Sequence, residues 1–382
     1  MPSSPGRILT THVGSLPRPQ ELTDMLFRRA ADEPVDPTRF EATVAEAVMD
    51  AVRRQKRASI DIPSDGEMSK ISYATYVSER LTGFSGDSPR RVPADLLEVP
   101  RYMKRLAATG GTPSLPRPCC TGAIEVRTTE PLEADLSRFA QALQANGYTQ
   151  GFMNAAAPGV ISLFQPNRYY KSDDAYLEAL SKAMTAEYRR IVEAGLYLQI
   201  DSPDLGVGRH TMYADLEEDE FIRRLGGHVA ALNAALAGIP KDRVRLHLCW
   251  GNYEGPHTRD IPLARILPTV LEIHAGAISF EAANPRHAHE WVVFRETRLP
   301  EDRILIPGVI DSSTNFVEHP DLVAERLCRF ADVVGRERVM AGTDCGFATV
   351  AGWATVDPDI VWMKLEAMAE GASRASRMLW KH

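Results

Sequence analysis

The sequence places an imidazole and a thiol two positions apart at the end of an apolar run. His247 and Cys249 lie in the stretch 245–250, which reads Arg-Leu-His-Leu-Cys-Trp. In an extended strand alternate side chains share a face, so both groups would project the same way. Imidazole nitrogen and thiolate sulfur are ligands of Zn²⁺, and a tetrahedral site needs more than two protein ligands. The pair therefore predicts further ligands at the ends of other strands.

Two such ligands are present downstream. Cys345 follows the short apolar stretch 339–341, and Glu281 closes the apolar stretch 277–280. The alternative is that His247 and Cys249 are ordinary buried strand residues, since free cysteine is among the most buried residue types. The elements that would position these side chains decide between the two interpretations.

Strand and helix patterns alternate along most of the chain. We predict strands that begin at 8 and cover 59–63, 151–155, 196–201, 244–249, 277–281, 303–308 and 339–342. Helical periodicity covers 39–56, 135–146, 172–194, 216–236, 263–273, 320–334 and 359–379. Eight strand-then-helix units are the number that closes a parallel barrel. The sequence thus predicts an α/β fold, a (β/α)8 TIM barrel in one domain over 1–382, with an insertion at about 85–127 after the second strand that covers one face.

Active sites of such barrels lie at the C-terminal ends of the strands. Every polar group singled out falls at such an end: His12 and Ser15 after strand one, Glu67 after strand two, Asp201 after strand four, His247 and Cys249 after strand five, Glu281 after strand six, Asp311 after strand seven and Cys345 after strand eight. Because these ends ring one mouth, strands five, six and eight can converge on one metal ion.

Composition restricts the class of protein. The chain has 382 residues, 44% apolar and 25% charged, with a net charge of -7, which is ordinary for a globular enzyme and disfavours non-specific binding to nucleic acid or to an anionic membrane. Its five cysteines form an odd set and indicate reduced thiols rather than a disulfide framework. Without a signal-peptide pattern or a membrane span, we expect a cytoplasmic protein. A homo-oligomer is left open.

Motifs spread over nearly the whole chain carry a family resemblance. The sequence resembles the catalytic barrel of cobalamin-independent methionine synthase at 13–17 (Val-Gly-Ser-Leu-Pro), 65–67 (Asp-Gly-Glu), 199–203 (Gln-Ile-Asp-Ser-Pro), 247–249 (His-Leu-Cys), 280–281 (Phe-Glu), 307–311 (Pro-Gly-Val-Ile-Asp) and 344–346 (Asp-Cys-Gly). This resemblance implies a Zn²⁺ ion held by His247, Cys249, Cys345 and, in the resting state, by Glu281, which a substrate thiol displaces.

The same resemblance implies the reaction and the remaining site residues. Ser15, Glu67 and Asp201 match positions that hold the amino acid end of homocysteine, and Asp311 matches a position beside the methyl donor. The reaction implied is methyl transfer from N5-methyltetrahydrofolate, or another methyl donor, to the thiolate of homocysteine, which gives methionine. The chain departs from the family where a histidine two positions after the acid would donate a proton, because 311–314 reads Asp-Ser-Ser-Thr.

A second resemblance leaves an alternative open. The stretches 246–251, 255–257, 279–282, 285–291 and 318–320 are similar to the short single-barrel branch that contains epoxyalkane:coenzyme M transferase. That resemblance implies the same zinc-bound thiolate with an epoxide as electrophile. A thiol that carries a sulfonate would need a nearby cation, for which Arg209 is a candidate. A third interpretation, a non-catalytic protein with structural zinc, is disfavoured because a structural site is closed by four permanent ligands.

Overall fold

The computed structural model describes residues 6–89, 91–108 and 117–380. Its main feature is a curled parallel sheet of seven strands in the order β1-β9-β8-β7-β6-β5-β4. The strands of this sheet are β1 (Leu9–Thr10), β4 (Phe152–Ala156), β5 (Tyr197–Asp201), β6 (Val244–Leu248), β7 (Ala277–Phe280), β8 (Ile304–Ile310) and β9 (Met340–Thr343), and a separate antiparallel pair consists of β2 (Phe84–Ser85) and β3 (Cys119–Cys120). The predicted α/β class and seven of the eight predicted strands are therefore found.

Helices connect the strands. They are α1 (Gln20–Ala30), α2 (Pro37–Arg57), α3 (Val77–Arg80), α4 (Ala94–Leu97), α5 (Pro100–Ala108), α6 (Glu130–Ala145), α7 (Pro158–Phe164), α8 (Asp173–Glu193), α9 (Glu218–Ala235), α10 (Leu263–Leu271), α11 (Val293–Glu296), α12 (Pro320–Val334) and α13 (Pro358–Trp380). Short 3-10 helices cover Pro203–Leu205, Val207–His210, Lys241–Arg243, Glu290–Val292 and Arg336–Arg338. None of the helices in the described part of the chain has both the length and the apolar character needed to cross a membrane.

Helix α2 shows how the sequence sets these elements. The Asp36 side chain accepts from the amides of Thr38 (2.9 Å) and Arg39 (3.2 Å), and Pro37 occupies the first turn, where its missing N–H leaves no bond unmade. Phe40 and Val44 begin a buried stripe at a spacing of four residues. This stripe packs the helix into the core, so that the chain leaves α2 toward the loop that carries Glu67.

The predicted second strand, 59–63, is wrong as a regular strand. The amides of Asp61 and Ile62 both donate to the carbonyl of Thr10 at 3.1 Å, and the amide of Phe152 donates to the carbonyl of Pro63 at 2.9 Å. The segment therefore bonds to both edge strands of the sheet, β1 and β4. It makes no ladder because two amides share one acceptor, Pro63 lacks an N–H, and Ser59 adopts φ +59°.

The inside of the curled sheet has an apolar and a polar end. A buried cluster toward the N-terminal ends of the strands contains Ile62, Phe152, Tyr197, Ala277, Ile304, Ile306 and Met340. Above it, the guanidinium of Arg245 donates to Thr11 Oγ1 (2.8 Å) and to the carbonyl of His12 (2.6 Å), and lies 4.0 Å from the ring centre of Phe152. Since side chains alternate along β6, the face that carries Arg245 next presents His247 and Cys249 at the C-terminal end.

The predicted insertion at about 85–127 lies only partly in the described residues. Residues 90 and 109–116 are outside them. The described parts hold α4, α5 and the two-stranded sheet, which stands apart from the parallel sheet. The strand-like run predicted over 120–126 is reduced to Cys119–Cys120. The interpretation of this segment as an insertion in a single domain remains a prediction.

Candidate metal centre and active site

Three predicted ligands lie together at the C-terminal ends of β6 and β9. Cys249 Sγ lies 3.7 Å from Cys345 Sγ, and Cys345 Sγ lies 3.7 Å from His247 Nε2. A tetrahedral ion with Zn–S bonds of about 2.3 Å and Zn–N bonds of about 2.0 Å separates its ligand atoms by about 3.5–3.8 Å. The arrangement thus fits one tetrahedral zinc ion. Within the described residues, this is the one group of three or more His, Cys, Asp or Glu side chains placed to share a metal ion.

The surroundings of these three groups suit metal binding. Burial and the nearby charge of Arg245 lower the pKa of His247 to about 3, so its imidazole is neutral and can bind a cation. The neighbouring Cys345 thiol and burial raise the pKa of Cys249 well above its usual value. Two adjacent buried sulfurs become thiolates only with a compensating positive charge, which a divalent ion supplies as it displaces their protons.

Glu281 lies beside this group but outside it. Its Oε1 accepts from the amide of Trp250 (2.7 Å) and its Oε2 accepts from Asn284 Nδ2 (2.7 Å). Burial and the nearby Cys249 raise the pKa of Glu281 well above its usual value. The structure therefore brings together His247, Cys249 and Cys345, whereas the role of Glu281 as the resting ligand stays a prediction.

Asp344 fixes the loops on which two of these side chains stand, and sequence reasoning did not single it out. Its Oδ1 accepts from the amides of Ala282 and Ala283, both at 2.8 Å, and its Oδ2 accepts from the amide of Asn284 at 2.8 Å. It thereby joins the end of β9 to the turn after β7. The signal was its place next to Cys345 in the sequence. A Cβ at Gly308 would lie 2.0 Å from Asp344 Oδ1, so this contact requires glycine at 308.

Six of the eight predicted site residues line one cavity of about 500 Å³, which we call the larger cavity. They are Ser15, Glu67, Asp201, His247, Cys249 and Cys345. Strand ends thus converge as the barrel prediction requires. The remaining walls are mostly apolar and include residues of α4 and α5, such as Leu96 and Met103.

Two carboxylates of the larger cavity, those of Asp201 and Glu67, differ in their hydrogen-bond partners and in their pKa values. Asp201 accepts from Gln199 Nε2 (2.7 Å) and from Asn154 Nδ2 (2.9 Å), whereas Glu67 Oε2 is buried and has no hydrogen-bond partner among the described residues. Burial raises the pKa of Glu67 to about 8, and the charge of Asp201 adds to that rise. Burial also raises the pKa of Asp201 to about 6. A cationic ligand would stabilise the ionised form of both carboxylates and lower their pKa values.

Local backbone geometry holds these side chains in place. Glu67 adopts φ +56°, a conformation that is costly for a residue with a side chain, and its amide donates to Asp65 Oδ1 at 2.9 Å. Ser15 packs against the loop that follows Cys345, because a Cβ at Gly346 would lie 2.0 Å from Ser15 Oγ. The amide of Phe347 donates to the carbonyl of Ser15 at 3.0 Å. The loops after β1 and β9 are thus locked together.

Asp311 lies in a second cavity of about 270 Å³, the smaller cavity. Its carboxylate accepts from the amide and the hydroxyl of Ser313, both at 2.8 Å, and from Thr314 Oγ1 at 2.7 Å. The loop 251–254 and Cys345 line both cavities. Asp311 therefore lies in a different cavity from Glu67, which the single mouth predicted from strand order did not foresee.

Sequence reasoning missed further residues of the larger cavity. Tyr73 lines it, and burial together with the nearby Cys249 and Cys345 raises the pKa of its hydroxyl well above the usual value. Asn154 and Gln199 orient Asp201, and a polar residue inside a buried apolar strand was the available signal. Arg209, considered as a sulfonate ligand, is not among the residues that line the cavity, and its guanidinium donates to the carbonyls of Tyr213 and Ala214.

Fold and site together define an α/β barrel-like protein with a thiol-rich candidate metal site at the C-terminal ends of its strands. The family model described as cobalamin-independent synthase, catalytic domain, matches residues 8–95 and 116–371. The chain belongs to this family, which confirms the resemblance drawn from the motifs.

Curated relatives agree with this assignment. The methionine synthase of Sulfolobus acidocaldarius is 26% identical over 88% of this chain and 85% of that protein. The methionine synthase of Thermococcus kodakarensis is 26% identical over 97% of this chain and 94% of that protein. The comparisons thus support a methyltransferase of the methionine synthase type.

Solved structures agree on the fold. A B12-independent methionine synthase from Shewanella sp. W3-18-1, in complex with selenomethionine, covers 98% of this chain and all (100%) of its own, with a TM-score of 0.75 at 18% identity. A putative vitamin-B12 independent methionine synthase from Listeria monocytogenes covers 96% of this chain and 98% of its own, with a TM-score of 0.66 at 18% identity. These likenesses establish the methionine synthase-like barrel.

Proposed function

We propose that the protein is a zinc-dependent methyltransferase that transfers a methyl group from N5-methyltetrahydrofolate to the thiol of homocysteine and forms methionine. The observation that carries this proposal is the placement of His247, Cys249 and Cys345 at tetrahedral spacing in the same cavity as Glu67 and Asp201. An amino-acid thiol as substrate requires a metal ion that activates its sulfur and acidic side chains that bind its ammonium group.

His247, Cys249 and Cys345 would hold the zinc ion, with Glu281 as the fourth ligand before substrate binds. When bound, zinc lowers the pKa of a substrate thiol so that it is a thiolate at neutral pH. Trp250 and Asn284 donate to the two oxygens of Glu281 next to Cys249, so these hydrogen bonds would satisfy its carboxylate if a substrate thiol took its place as a ligand.

Glu67 and Asp201 bind the ammonium group of homocysteine, and Ser15 contributes its hydroxyl beside them. The ammonium provides the partner that Glu67 Oε2 lacks among the residues that the structure describes. Asn154 and Gln199 keep the Asp201 carboxylate aimed at the substrate through two hydrogen bonds. These fixed contacts orient the chain of the substrate so that its sulfur points toward the metal centre, which converts binding energy into positioning.

This charge arrangement favours an amino-acid thiol over the alternative substrate of epoxide-opening chemistry. The sulfonate of coenzyme M would meet the carboxylates of Glu67 and Asp201, and like charges repel. Ser15 is neutral, so any offset would have to come from Arg91, Arg117 or Arg168, which line the same cavity. We also propose that the protein is cytoplasmic and that it is a single domain with an insertion at about 85–127. The assignment of N5-methyltetrahydrofolate as the methyl donor is likewise part of the proposal.

Calorimetric titration of the zinc-loaded protein tests the acceptor. Homocysteine should bind at least about 100-fold more tightly than 4-mercaptobutyrate, which lacks only the amino group, since charged hydrogen bonds contribute about 1.5–3 kcal/mol each. Coenzyme M should bind weakly. Methyl iodide with bound homocysteine should yield methionine and so report the activated sulfur directly. Equal affinities for homocysteine and 4-mercaptobutyrate, or tighter binding of coenzyme M, would overturn the proposal.

A further inference from the structure

Five ionisable side chains form a buried cluster behind the smaller cavity, which we call the histidine cluster: His210, His257, Asp260, His287 and Glu290. Asp260 Oδ2 lies 2.9 Å from His257 Nδ1 and 3.0 Å from His287 Nε2. Glu290 Oε2 lies 2.7 Å from His287 Nδ1. Neither the metal centre nor the amino-acid pocket described above uses these groups.

The hydrogen-bond partners of His257 and His287 indicate that each of these two imidazoles carries two protons. His257 Nε2 faces the carbonyl oxygen of Tyr253 at 3.0 Å, and His257 Nδ1 faces the Asp260 carboxylate. His287 stands between two carboxylates in the same manner. Because these partners accept hydrogen bonds, each ring nitrogen must donate. Hydrogen bonds to Asp260 raise the pKa of His257 to about 9 and that of His287 to about 10, against the opposing effect of burial.

Only His257 of this cluster reaches the smaller cavity. Its side chain is 13% exposed, whereas that of His287 is 3% exposed. His257 is the one imidazole among the described residues that line the smaller cavity, which also contains Asp311 and Cys345. Its backbone adopts φ +52°, and its amide donates to Asp95 Oδ2 at 2.8 Å. A strained residue held by a buried carboxylate is typical of a functional position.

Three of the four carboxylates that line the smaller cavity already accept hydrogen bonds: Asp311 from Ser313 and Thr314, Glu281 from Trp250 and Asn284, and Asp344 from three backbone amides. The fourth, Glu254, is exposed to solvent. An amine leaving group has to receive a proton before it can depart with the electrons of its bond to carbon. His257 lines this cavity, which adjoins Cys345, and its Nε2 proton rests on the carbonyl oxygen of Tyr253.

We propose that His257 is the general acid of methyl transfer and protonates the leaving nitrogen of an N-methyl donor bound in the smaller cavity. This inference rests on the proposed function. The thiolate sulfur forms a bond to the methyl carbon, and the carbon–nitrogen bond breaks with its electron pair going to nitrogen. The proton of His257 Nε2 leaves its hydrogen bond with the Tyr253 carbonyl and moves to that nitrogen. His257 regains a proton from solvent, which balances the proton that the thiol loses on binding.

The groups that face His257 determine its pH dependence. Asp260 and Tyr253 belong to its own loop, Asp95 to α4, and Glu281 to the turn after β7, while the ring of His210 lies 6.5 Å away. Most of this surface is negative or accepts hydrogen bonds, which keeps the proton on His257 at neutral pH. Since the protonated form is the active one, turnover should fall as pH rises through about 9.

Two methyl donors that differ in their leaving group test this assignment in the zinc-loaded enzyme. His257→Gln should lower the rate with N5-methyltetrahydrofolate by at least about 100-fold and remove the basic limb of its pH profile. The rate with methyl iodide, whose leaving group takes no proton, should stay within about twofold, because proton transfer then contributes nothing. His319→Gln, at an exposed helix cap, is the matched control and should change neither rate.

A purely structural role of His257 predicts other results. Equal losses with both donors, or an unchanged rate with the folate, would overturn the inference. As a second variant, His257→Ala should regain folate turnover when imidazole is added, and failure of that rescue in a folded variant also counts against it. If wild type methylates homocysteine with methyl iodide but not with the folate, this inference fails while thiol activation stands; if methyl iodide also fails, the proposed function fails.

Discussion

The two cavities that meet at Cys345 differ in how their carboxylates are satisfied. In the larger cavity Glu67 Oε2 is buried without a partner among the described residues, and the pKa of Glu67 is raised to about 8. In the smaller cavity Asp311 accepts three hydrogen bonds from Ser313 and Thr314. An unsatisfied buried acceptor costs free energy that a ligand can recover, whereas a satisfied one fixes local structure.

The difference assigns a task to each cavity. A bound cation would stabilise the buried carboxylates of Glu67 and Asp201, so the larger cavity suits the ammonium group of an amino-acid substrate. Asp311 and Asp344 hold loops, so the smaller cavity offers a rigid surface in which His257 carries the mobile proton. The thiol and the leaving group would therefore approach the metal centre from different cavities.

The largest expected effect comes from the residue that both cavities share. Cys345→Ser replaces a soft thiolate with a hydroxyl and should lower bound zinc to well under one ion per chain and methyl transfer by at least about 1000-fold, because Zn²⁺ sites of this kind depend on thiolate ligands. Metal analysis and turnover measure both. Cys328→Ser, on α12 and away from the site, is the control. Full zinc content in Cys345→Ser would contradict the metal assignment.

Glu67→Gln tests whether the larger cavity binds the ammonium group of the substrate. It should weaken homocysteine binding by about 10–100-fold, the worth of one charged hydrogen bond, and leave 4-mercaptobutyrate binding unchanged because that thiol has no ammonium. Calorimetry with both thiols measures the difference. The exposed Glu125→Gln serves as control. A parallel loss for the two thiols would indicate damage to the metal centre instead of loss of an ammonium partner.

The pH dependence of homocysteine binding also tests the role of Glu67 in the larger cavity. Because the pKa of Glu67 is raised to about 8 in the free protein, the acid is largely protonated at pH 6 to 7 and must ionise to bind an ammonium. Homocysteine affinity should therefore rise with pH up to about 8, by at most about tenfold per pH unit for this group. 4-Mercaptobutyrate has the same thiol but no ammonium group. The difference between the pH slopes of the two affinities therefore reports the ionisation of the Glu67 carboxyl group.

Glu67→Gln should flatten that relative slope, as measured by calorimetry at pH 6, 7 and 8. In the free protein, the raised pKa also means that the folded state holds more protons than the unfolded state between about pH 4.5 and 8, so stability falls as pH rises through this range. An affinity that falls over the same range, or an unaltered slope in the variant, would show that Glu67 does not meet the ammonium.

The smallest effect is expected from Asp344→Asn, which addresses the smaller cavity. An amide nitrogen in place of Oδ2 would face the donating amide of Asn284, so unfolding should require about 1–3 kcal/mol less free energy. Thermal unfolding measures this, with the exposed Asp302→Asn as control. Homocysteine affinity should change by less than about threefold, since Asp344 touches loops rather than the amino-acid pocket. A stability equal to wild type would show that these hydrogen bonds do not hold the loop.

The sequence predicted those features that follow from strand geometry. His247 and Cys249 share a face because side chains alternate along β6, and Cys345 joins them because the ends of parallel strands meet. Asp201 was predicted for the same reason. The strand at 59–63 was wrong because the spacing of apolar residues does not show that two amides will share the carbonyl of Thr10.

Loop conformation limited the rest of the prediction. Strand order placed Asp311 in the same mouth as Glu67, but the path of the loop 251–254 separates the two cavities. The hydrogen bonds of Asp344 and the position of His257 likewise depend on loops that pack over long sequence distances. Asn154 could have been found, since a polar side chain inside the buried strand β4 needs a partner.

Zinc-edge X-ray absorption of the purified protein, before and after homocysteine is added, tests whether the site holds zinc and binds the substrate sulfur. We expect one zinc ion per chain with two sulfur ligands at about 2.3 Å and lighter ligands at about 2.0–2.1 Å, and a third sulfur when homocysteine binds. Selenohomocysteine should give the same change with a zinc–selenium distance. A protein without zinc, or a sulfur count that stays at two in saturating homocysteine, would contradict it.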